Sequence, residues 1–402
     1  MKYIYIGKFF PQNILETIRE DSKGKMGYSN HNFEMSIIQG LSKNLGNSLD
    51  ILTLPNVGSY PNNYNKCWVN SEVYLIGDSK VYSFGFLNIP VINKIWLIIS
   101  LAIKIRRIIS TNKKEQIAII TNTLFYCIEL GIYLSRVMGR KYVTTTLIVP
   151  DLPCFVTEMR KDGAFKNFVV KAFDKVSMKI ANRFNYFVFL AEQMKEFFKK
   201  DVTYIVMEGL VSTENRAVIS KNDDIRPVVF YSGTIMKEYG IMNLVQAFQL
   251  LNHKDIELWI CGSGDTIDEI KEASKKTPTI KYLGILPPDE VAQIQRSSMI
   301  LVNPRTSEGE FTKYSFPSKT IEYMLSGRPV VANRLPGMPV EYFDYIFSPK
   351  DESVESLTNA LDTMLRKDKK ELDEIGRKNR EFIVKNKSAE RQTSRIIEMI
   401  LS

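Results

Sequence analysis

The 402-residue chain is poor in the residues that most often carry redox and metal chemistry: it has four Cys, two His and three Trp. Cys67, Cys127, Cys154 and Cys261 stand far apart, with no CxxC pair and no His beside them. That spacing excludes a zinc motif, a thioredoxin-type pair and a disulfide framework, and makes a reducing cytosol the expected compartment. With only His31 and His253, a His-based triad has little material. There is also no acid/base carboxylate pair and no DxD-type metal motif. Long hydrophobic runs are missing too. The best run, Ile95 to Ile103, has nine residues with only Ser100 polar, against about 20 needed to span a bilayer. Pro90, Lys94 and two Asn interrupt any longer reading. The start, MKYIYIGKFF, reads as a strand and not as a signal peptide. No short-period repeat or low-complexity tract occurs.

What is present is a globular composition, 44% hydrophobic and 25% charged, on a length that suggests two or three domains. Short β-type runs alternate with helical patterns. Residues 3–7, 50–54, 117–121, 142–149 and 187–190 read as strands, with helices at 30–45 and 124–138 between them. After the polar segment 220–227 the alternation restarts. Strands are expected at 228–233, 257–262, 280–284, 299–303 and 330–332, and helices at 244–251, 266–275, 288–298 and 317–326. This pattern predicts an α/β protein of two doubly wound, Rossmann-like domains facing a cleft. The expected domains are 1–216 and 217–385, with the amphipathic helix 386–402 packing back on the first. Ligands of such sheets bind outside the carboxyl ends of the strands.

The charge is lopsided. Residues 1–216 hold 28 Lys+Arg against 18 Asp+Glu, while residues 217–402 hold 26 against 27, so the whole net +9 sits on the first half. A one-sided basic field points to a polyanion or an anionic surface. The basic residues alternate with apolar stretches and do not form a tail, which favours a membrane surface over nucleic acid. Within 81–109, the apolar Ile95, Trp96, Ile98, Ile99, Leu101 and Ile103 run into Lys104, Arg106 and Arg107. That pattern fits an interfacial helix, and equally a buried α/β helix with a basic end. In 161–200, Lys166, Lys171, Lys175, Lys179 and Arg183 lie among Phe and Val, as on a solvated helix face or one that meets headgroups.

The segment 302–337 is the most informative. After the strand ending at Asn303 comes a polar loop with Arg305, Glu308, Glu310 and Lys313. Phe316-Pro317 then opens a helix, Pro being suited to a first turn. Ser318, Lys319 and Thr320 fall in that turn, where free amides and the helix dipole favour a phosphate. Glu322, one turn further on, suits a pair of sugar hydroxyls, because a carboxylate accepts two O–H bonds. The pattern describes a site for a phosphate joined to a polyol, such as a nucleotide.

The segment resembles the donor-binding signature of glycosyltransferase family 4, retaining enzymes of the glycosyltransferase B (GT-B) fold. Glu322-Tyr-Met-Leu-Ser-Gly-Arg-Pro329-Val-Val matches the second half of the family's Glu, seven residues, Glu motif, and Phe316 to Lys319 match a branch carrying Phe-Pro-Ser-Lys. The resemblance implies that Glu322 binds the nucleotide ribose. The first Glu falls on Tyr314. The family's Gly-Arg…Lys-Gly loop corresponds to 231–240, where Thr234 and Tyr239 stand at the positions of the two cations that neutralise the donor diphosphate. Lys319, Arg305 and Lys237 are the candidates to replace them. Gly233 and Thr234 remain donor-loop candidates, as do Gly262 and Gly264 in the turn after one strand and Gly284 after another. A plain strand–helix turn explains those last three glycines as well. Gly27 and His31 are candidates for the acceptor side, against a bland loop and a surface or capping His. Asp151 either meets an acceptor hydroxyl or begins a turn before Pro153.

The resemblance implies retaining, metal-independent transfer without a separate cofactor. The sugar moves from a nucleotide-sugar, a UDP-sugar by preference, to a glycan or polyprenyl-diphosphate-linked acceptor. Lys319 and Asp151 are the expected catalytic residues. The expected setting is cytoplasmic and peripheral at the inner membrane face, in bacterial exopolysaccharide or capsule assembly, with no nucleic-acid partner. A non-catalytic GT-B-like partner subunit and a sugar-nucleotide epimerase are the alternatives.

Overall fold

Runs of Ile, Val, Leu and Tyr without polar alternation become parallel strands, because such strands are covered on both faces. A computed structural model of the chain describes residues 1–23, 28–122, 126–137, 143–152, 164–199, 201–212, 226–251 and 253–402. The chain divides into two units, Met1–Ser212 with Ala389–Ser402, and Thr213–Ser388.

The first unit contains β1 (Lys2–Gly7), β2 (Leu49–Thr53), β3 (Trp68–Val69), β4 (Glu72–Ile76), β5 (Ser79–Ser83), β6 (Phe86–Leu87), β7 (Ile117–Asn122), β8 (Val143–Val149), β9 (Tyr186–Phe189) and β10 (Thr203–Val206). Eight of these form a sheet in the order β10-β9-β8-β7-β1-β2-β5-β4. Every pairing is parallel except that of β4 with β5. β7, near the middle, is buried at all six positions. The edge strand β4 instead alternates and turns Val73 and Leu75 outward. Helices Tyr28–Leu45 and Ala389–Leu401 pack against each other at one face. Gly40 permits that crossing, since a Cβ there would lie 2.3 Å from the Ala389 carbonyl oxygen. Asn44 Nδ2 donates to the Glu390 carbonyl (2.8 Å) and to Thr393 Oγ1 (2.9 Å) across the same contact.

The second unit contains β11 (Arg226–Ile235), β12 (Glu257–Gly264), β13 (Ile280–Gly284), β14 (Ser298–Asn303) and β15 (Val330–Ala332), all parallel in the order β13-β12-β11-β14-β15. The order reverses direction between β11 and β14, which makes the carboxyl ends of these two strands the expected ligand position. Helices Ile241–Leu251 and Val354–Leu365 supply Leu244, Phe248, Leu361 and Met364 to the core beside Ile260 and Ile300.

Some details differ from the sequence reading. Residues 81–109 do not form one segment: they are divided among β5, β6 and the helix Ile92–Thr111. Among the described residues, no helix is long and apolar enough to cross a membrane. Pro317 caps its helix from outside, and Ser318 is the first helical residue. The helix Lys369–Asn386 begins with a capping box, Asp368 with Glu371, that the hydrophobic pattern alone does not reveal.

Candidate functional site

The site is built at the carboxyl ends of β11, β12 and β14. There β11 and β12 approach so closely that a Cβ on Gly262 would fall 1.8 Å from the Gly233 carbonyl oxygen, and one on Gly264 would fall 1.7 Å from that of Ile235. The approach of the two strands by itself therefore requires glycine at 262 and 264. Gly284 ends β13 in the left-handed region (φ +73°) with open space around it, a conformation that costs any side-chain-bearing residue energy. Thr234 is exposed at the end of β11, where its carbonyl accepts a hydrogen bond from the Tyr231 hydroxyl (2.6 Å). Lys237 follows with an exposed side chain, and its backbone N–H donates to Asp265 (3.1 Å).

The helix Ser318–Leu325 is anchored from beneath. Tyr323, fully buried, donates its hydroxyl to the Ser232 carbonyl (2.9 Å) and accepts from the Ser232 N–H (2.8 Å), tying the helix to β11. Asn303 at the end of β14 donates to Thr320 Oγ1 (3.1 Å). No side chain caps the start of this helix. With the buried face held in this way, Lys319 and Glu322 project outward and pair with each other at 2.7 Å, with their side chains 41% and 34% exposed. A half-exposed i,i+3 pair contributes only about 0.5 kcal/mol. A ligand carrying a phosphate and a diol can therefore separate the two partners at little cost and take one of each.

Arg305 lies in the loop after β14. Asn333 donates to the carbonyls of Pro304 (3.2 Å) and Arg305 (3.1 Å) and fixes that loop. The Arg305 guanidinium sits 4.9 Å from the ring centroids of both Tyr239 and Phe311. One Nη donates to Ser315 Oγ (3.1 Å), while Nε is buried without a hydrogen-bond partner. It makes no ion pair among the described residues, and burial lowers its pKa from the usual arginine value. Tyr239, which stands where a Lys was expected from the resemblance, thus packs on a cation supplied from another loop. Tyr314, at the first-Glu position, is buried. Among the described residues, no group of three or more His, Cys, Asp or Glu side chains converges on a metal position.

At the carboxyl end of the first unit's sheet, Asp151 follows β8 with an exposed side chain, although nearby protein still desolvates its carboxyl enough to raise the pKa. His31 Nδ1 accepts the Phe10 N–H (3.3 Å), so that nitrogen carries no proton, and partial burial lowers its pKa. Gly27 lies outside the described residues. The sequence reading passed over Glu34. Its carboxyl is sealed beneath β1, accepting hydrogen bonds from the Tyr5 hydroxyl and the Lys8 N–H, and burial lifts its pKa to about 7. It also missed Tyr323, Asn333 and the rings around Arg305. Only an unusual density of Tyr and Phe near 311–323 could have hinted at those.

Comparison with known proteins fits this geometry. Residues 226–367 match the family model described as Glycosyl transferases group 1. No curated protein matches the sequence. Among solved structures, the chain is similar to Anabaena Alr3699/HepE in complex with UDP (13% identity, 100% of this chain and 99% of that one, TM-score 0.60). It is also similar to the trehalose-6-phosphate structure from E. coli bound with UDP-2-fluoro glucose (10% identity, 99% and 98%, TM-score 0.63). A third is the lipopolysaccharide outer core galactosyltransferase WaaB (13% identity, 100% and 99%, TM-score 0.58). At such identities the likeness establishes the fold. Residues 226–367 thus match the group 1 glycosyltransferase model, in a chain that takes the GT-B fold of two Rossmann-like units along its whole length.

Proposed function

We propose that this chain is a retaining glycosyltransferase that moves a sugar from a nucleotide-sugar, a UDP-sugar by preference, to a glycan or polyprenyl-diphosphate-linked acceptor in bacterial surface polysaccharide synthesis. The observation that carries the reading is the outward Lys319–Glu322 pair at the start of an uncapped helix, inside the segment matched by the glycosyltransferase model. Glu322 takes the ribose hydroxyls, while Lys319 and the first-turn amides of Ser318 and its neighbours take the diphosphate. Arg305 supplies the second cation in place of those absent at Thr234 and Tyr239, with Lys237 at the rim. The UDP and UDP-2-fluoro glucose in two structural neighbours support the choice of donor, and WaaB supports a surface-glycan setting.

In the reaction the bond from the anomeric carbon to the diphosphate oxygen breaks. The acceptor oxygen bonds to the same face of that carbon, and its proton passes to the departing phosphate oxygen. The protein's part is to hold the reactants and neutralise the growing charge. Asp151 is the first unit's candidate for orienting the acceptor hydroxyl.

Melting curves against a panel of UDP-, GDP- and ADP-sugars test the donor assignment, because a ligand at 100 times its Kd adds about 2.7 kcal/mol to the native state. UDP-sugars should raise the melting temperature of the wild type and not that of Glu322→Ala. Lys319→Met should abolish transfer and leave the fold intact; near-normal turnover in that variant would remove its assignment. The buried Tyr314 favours a second reading, a non-catalytic GT-B-like partner subunit. Poor binding of UDP and GDP in calorimetry, with no product from any acceptor, would select it.

A further inference from the structure

The helix Ile92–Thr111 is apolar on two opposite faces. One face, with Leu97, Leu101, Ile105 and Ile108, is buried, and the helix packs on Tyr126–Val137. The other carries Ile92, Ile95, Trp96, Ile99 and Ile103, each 42–55% exposed. Their spacing of i, i+3, i+4, i+7 and i+11 places them in one stripe, and continuing the stripe by another turn reaches the exposed Arg106 and Arg107. A helix that only covered its own sheet would be polar on that side.

Two neighbouring features widen the stripe. Trp68 packs edge-on against Trp96 (ring centroids 5.9 Å apart) and is itself exposed. Trp96 Nε1 donates to the Gly85 carbonyl (3.2 Å), which fixes its ring at the surface. On β4, Val73 and Leu75 lie opposite Tyr82 and Lys80. They therefore share the sheet face on which the helix's Lys104 covers the Tyr82 ring (3.4 Å).

The backbone also bends to present this surface. Pro90-Val91-Ile92 forms a γ-turn, with the Ile92 N–H donating to the Pro90 carbonyl (2.9 Å) and Val91 at φ +70°, ψ −50°. That is the strained hand of the turn, and it is rare for a β-branched residue. It leaves Ile89, Val91 and Ile92 open to solvent immediately before the helix. Strain of this kind is held in place only by the structure around it.

From these observations we propose that this face docks on an anionic lipid bilayer, with the helix lying in the headgroup layer. The charge decides the occupant. Between residues 79 and 114 there are seven Lys and Arg and no Asp or Glu. Two copies meeting through this face would oppose like charges, whereas an anionic headgroup layer neutralises them while the Ile stripe and the indoles enter the acyl boundary. This surface requires no nucleotide, so it stands or falls separately from the donor assignment.

The test is co-sedimentation of the full-length protein with vesicles of phosphatidylcholine alone or with added phosphatidylglycerol. The protein should pellet with the anionic vesicles only, and high salt should release it. Arg106→Gln/Arg107→Gln should weaken binding by about 30-fold, at roughly 1 kcal/mol per basic residue. Ile95→Ser/Ile99→Ser should weaken it by at least about tenfold, with an unchanged far-UV spectrum because both side chains are on the surface. The emission of Trp68 and Trp96 should shift to the blue on anionic vesicles, and the Trp68→Phe/Trp96→Phe protein, which keeps Trp259, should show no shift. Equal binding to neutral vesicles, or none to either kind, overturns the proposal. So does a concentration-dependent dimer in sedimentation velocity that Ile99→Ser dissolves.

Discussion

At the carboxyl end of the second unit's sheet, the charges stand where water reaches them or lack a partner of opposite sign. Lys319 and Glu322 hold only each other on the surface, and the caged Arg305 guanidinium makes no ion pair among the described residues. In the first unit two carboxyls are shut in. Glu34 lies under β1, and Glu129, on the helix Tyr126–Val137, accepts a hydrogen bond from the Ser177 hydroxyl; burial raises their pKa values to about 7 and about 8. Below these values the buried carboxyls shed their charge by holding a proton. The contrast separates charged side chains left at the carboxyl end of a sheet from carboxyls that serve the core.

Removing the unpaired cation is the strongest way to break the comparison. Arg305→Met should lower transfer by about 10²–10³-fold, the usual loss when one stabiliser of developing charge is deleted. It should leave the melting temperature unchanged or higher, because a desolvated cation without an ionic partner is itself a cost. An unchanged rate would move Arg305 into the structural class.

The next effect belongs to the first unit and depends on pH. Glu34 titrates near its ordinary value of about 4.5 when unfolded and at about 7 when folded, so the folded chain holds a proton that the unfolded chain has released between these values. Stability should therefore fall as pH rises from about 4.5 to 7, by an amount of the order of 2–3 kcal/mol. Glu34→Gln removes the titrating proton and keeps one acceptor oxygen where Glu34 offers Oε2 to Tyr5 and Oε1 to Lys8, so it should flatten this slope. Melting curves at pH 5 and pH 8 check it, and an identical slope in the variant would mean that Glu34 is not the group responsible.

The smallest effect sharpens the contrast from the other side. Glu322→Gln should change stability by no more than about 0.5 kcal/mol, since its pairing with Lys319 is exposed, while it weakens donor binding measurably in calorimetry. A large loss of stability would make the pair a structural element.

Much of this architecture is legible in the sequence because it is local. An apolar run such as IAII (117–120) between polar stretches reads as a central parallel strand, and the helix start after Phe316-Pro317 is written in consecutive residues. What is not legible depends on distant partners. Tyr323 looks like one more core aromatic until Ser232, 91 residues away, is found at its hydroxyl. The setting of Arg305 needs Tyr239 from the loop after β11 as well as Phe311 from its own loop. The approach of β11, which also demands glycine at 262 and 264, leaves no trace in their own neighbourhood. Pro317 reads as helical from its ring alone, but its ψ of 87° places it outside.

The closing helix Ala389–Leu401 belongs to the unit that the chain starts, so residues 213–388 form a single uninterrupted insert within it. The Ala389 N–H donates to the Val211 carbonyl (2.9 Å), which brings the exit and the return of the backbone side by side. During synthesis the first unit must wait, lacking the cover for Gly40 and Asn44, until the whole insert has left the ribosome. The half that is begun first is the half that is finished last.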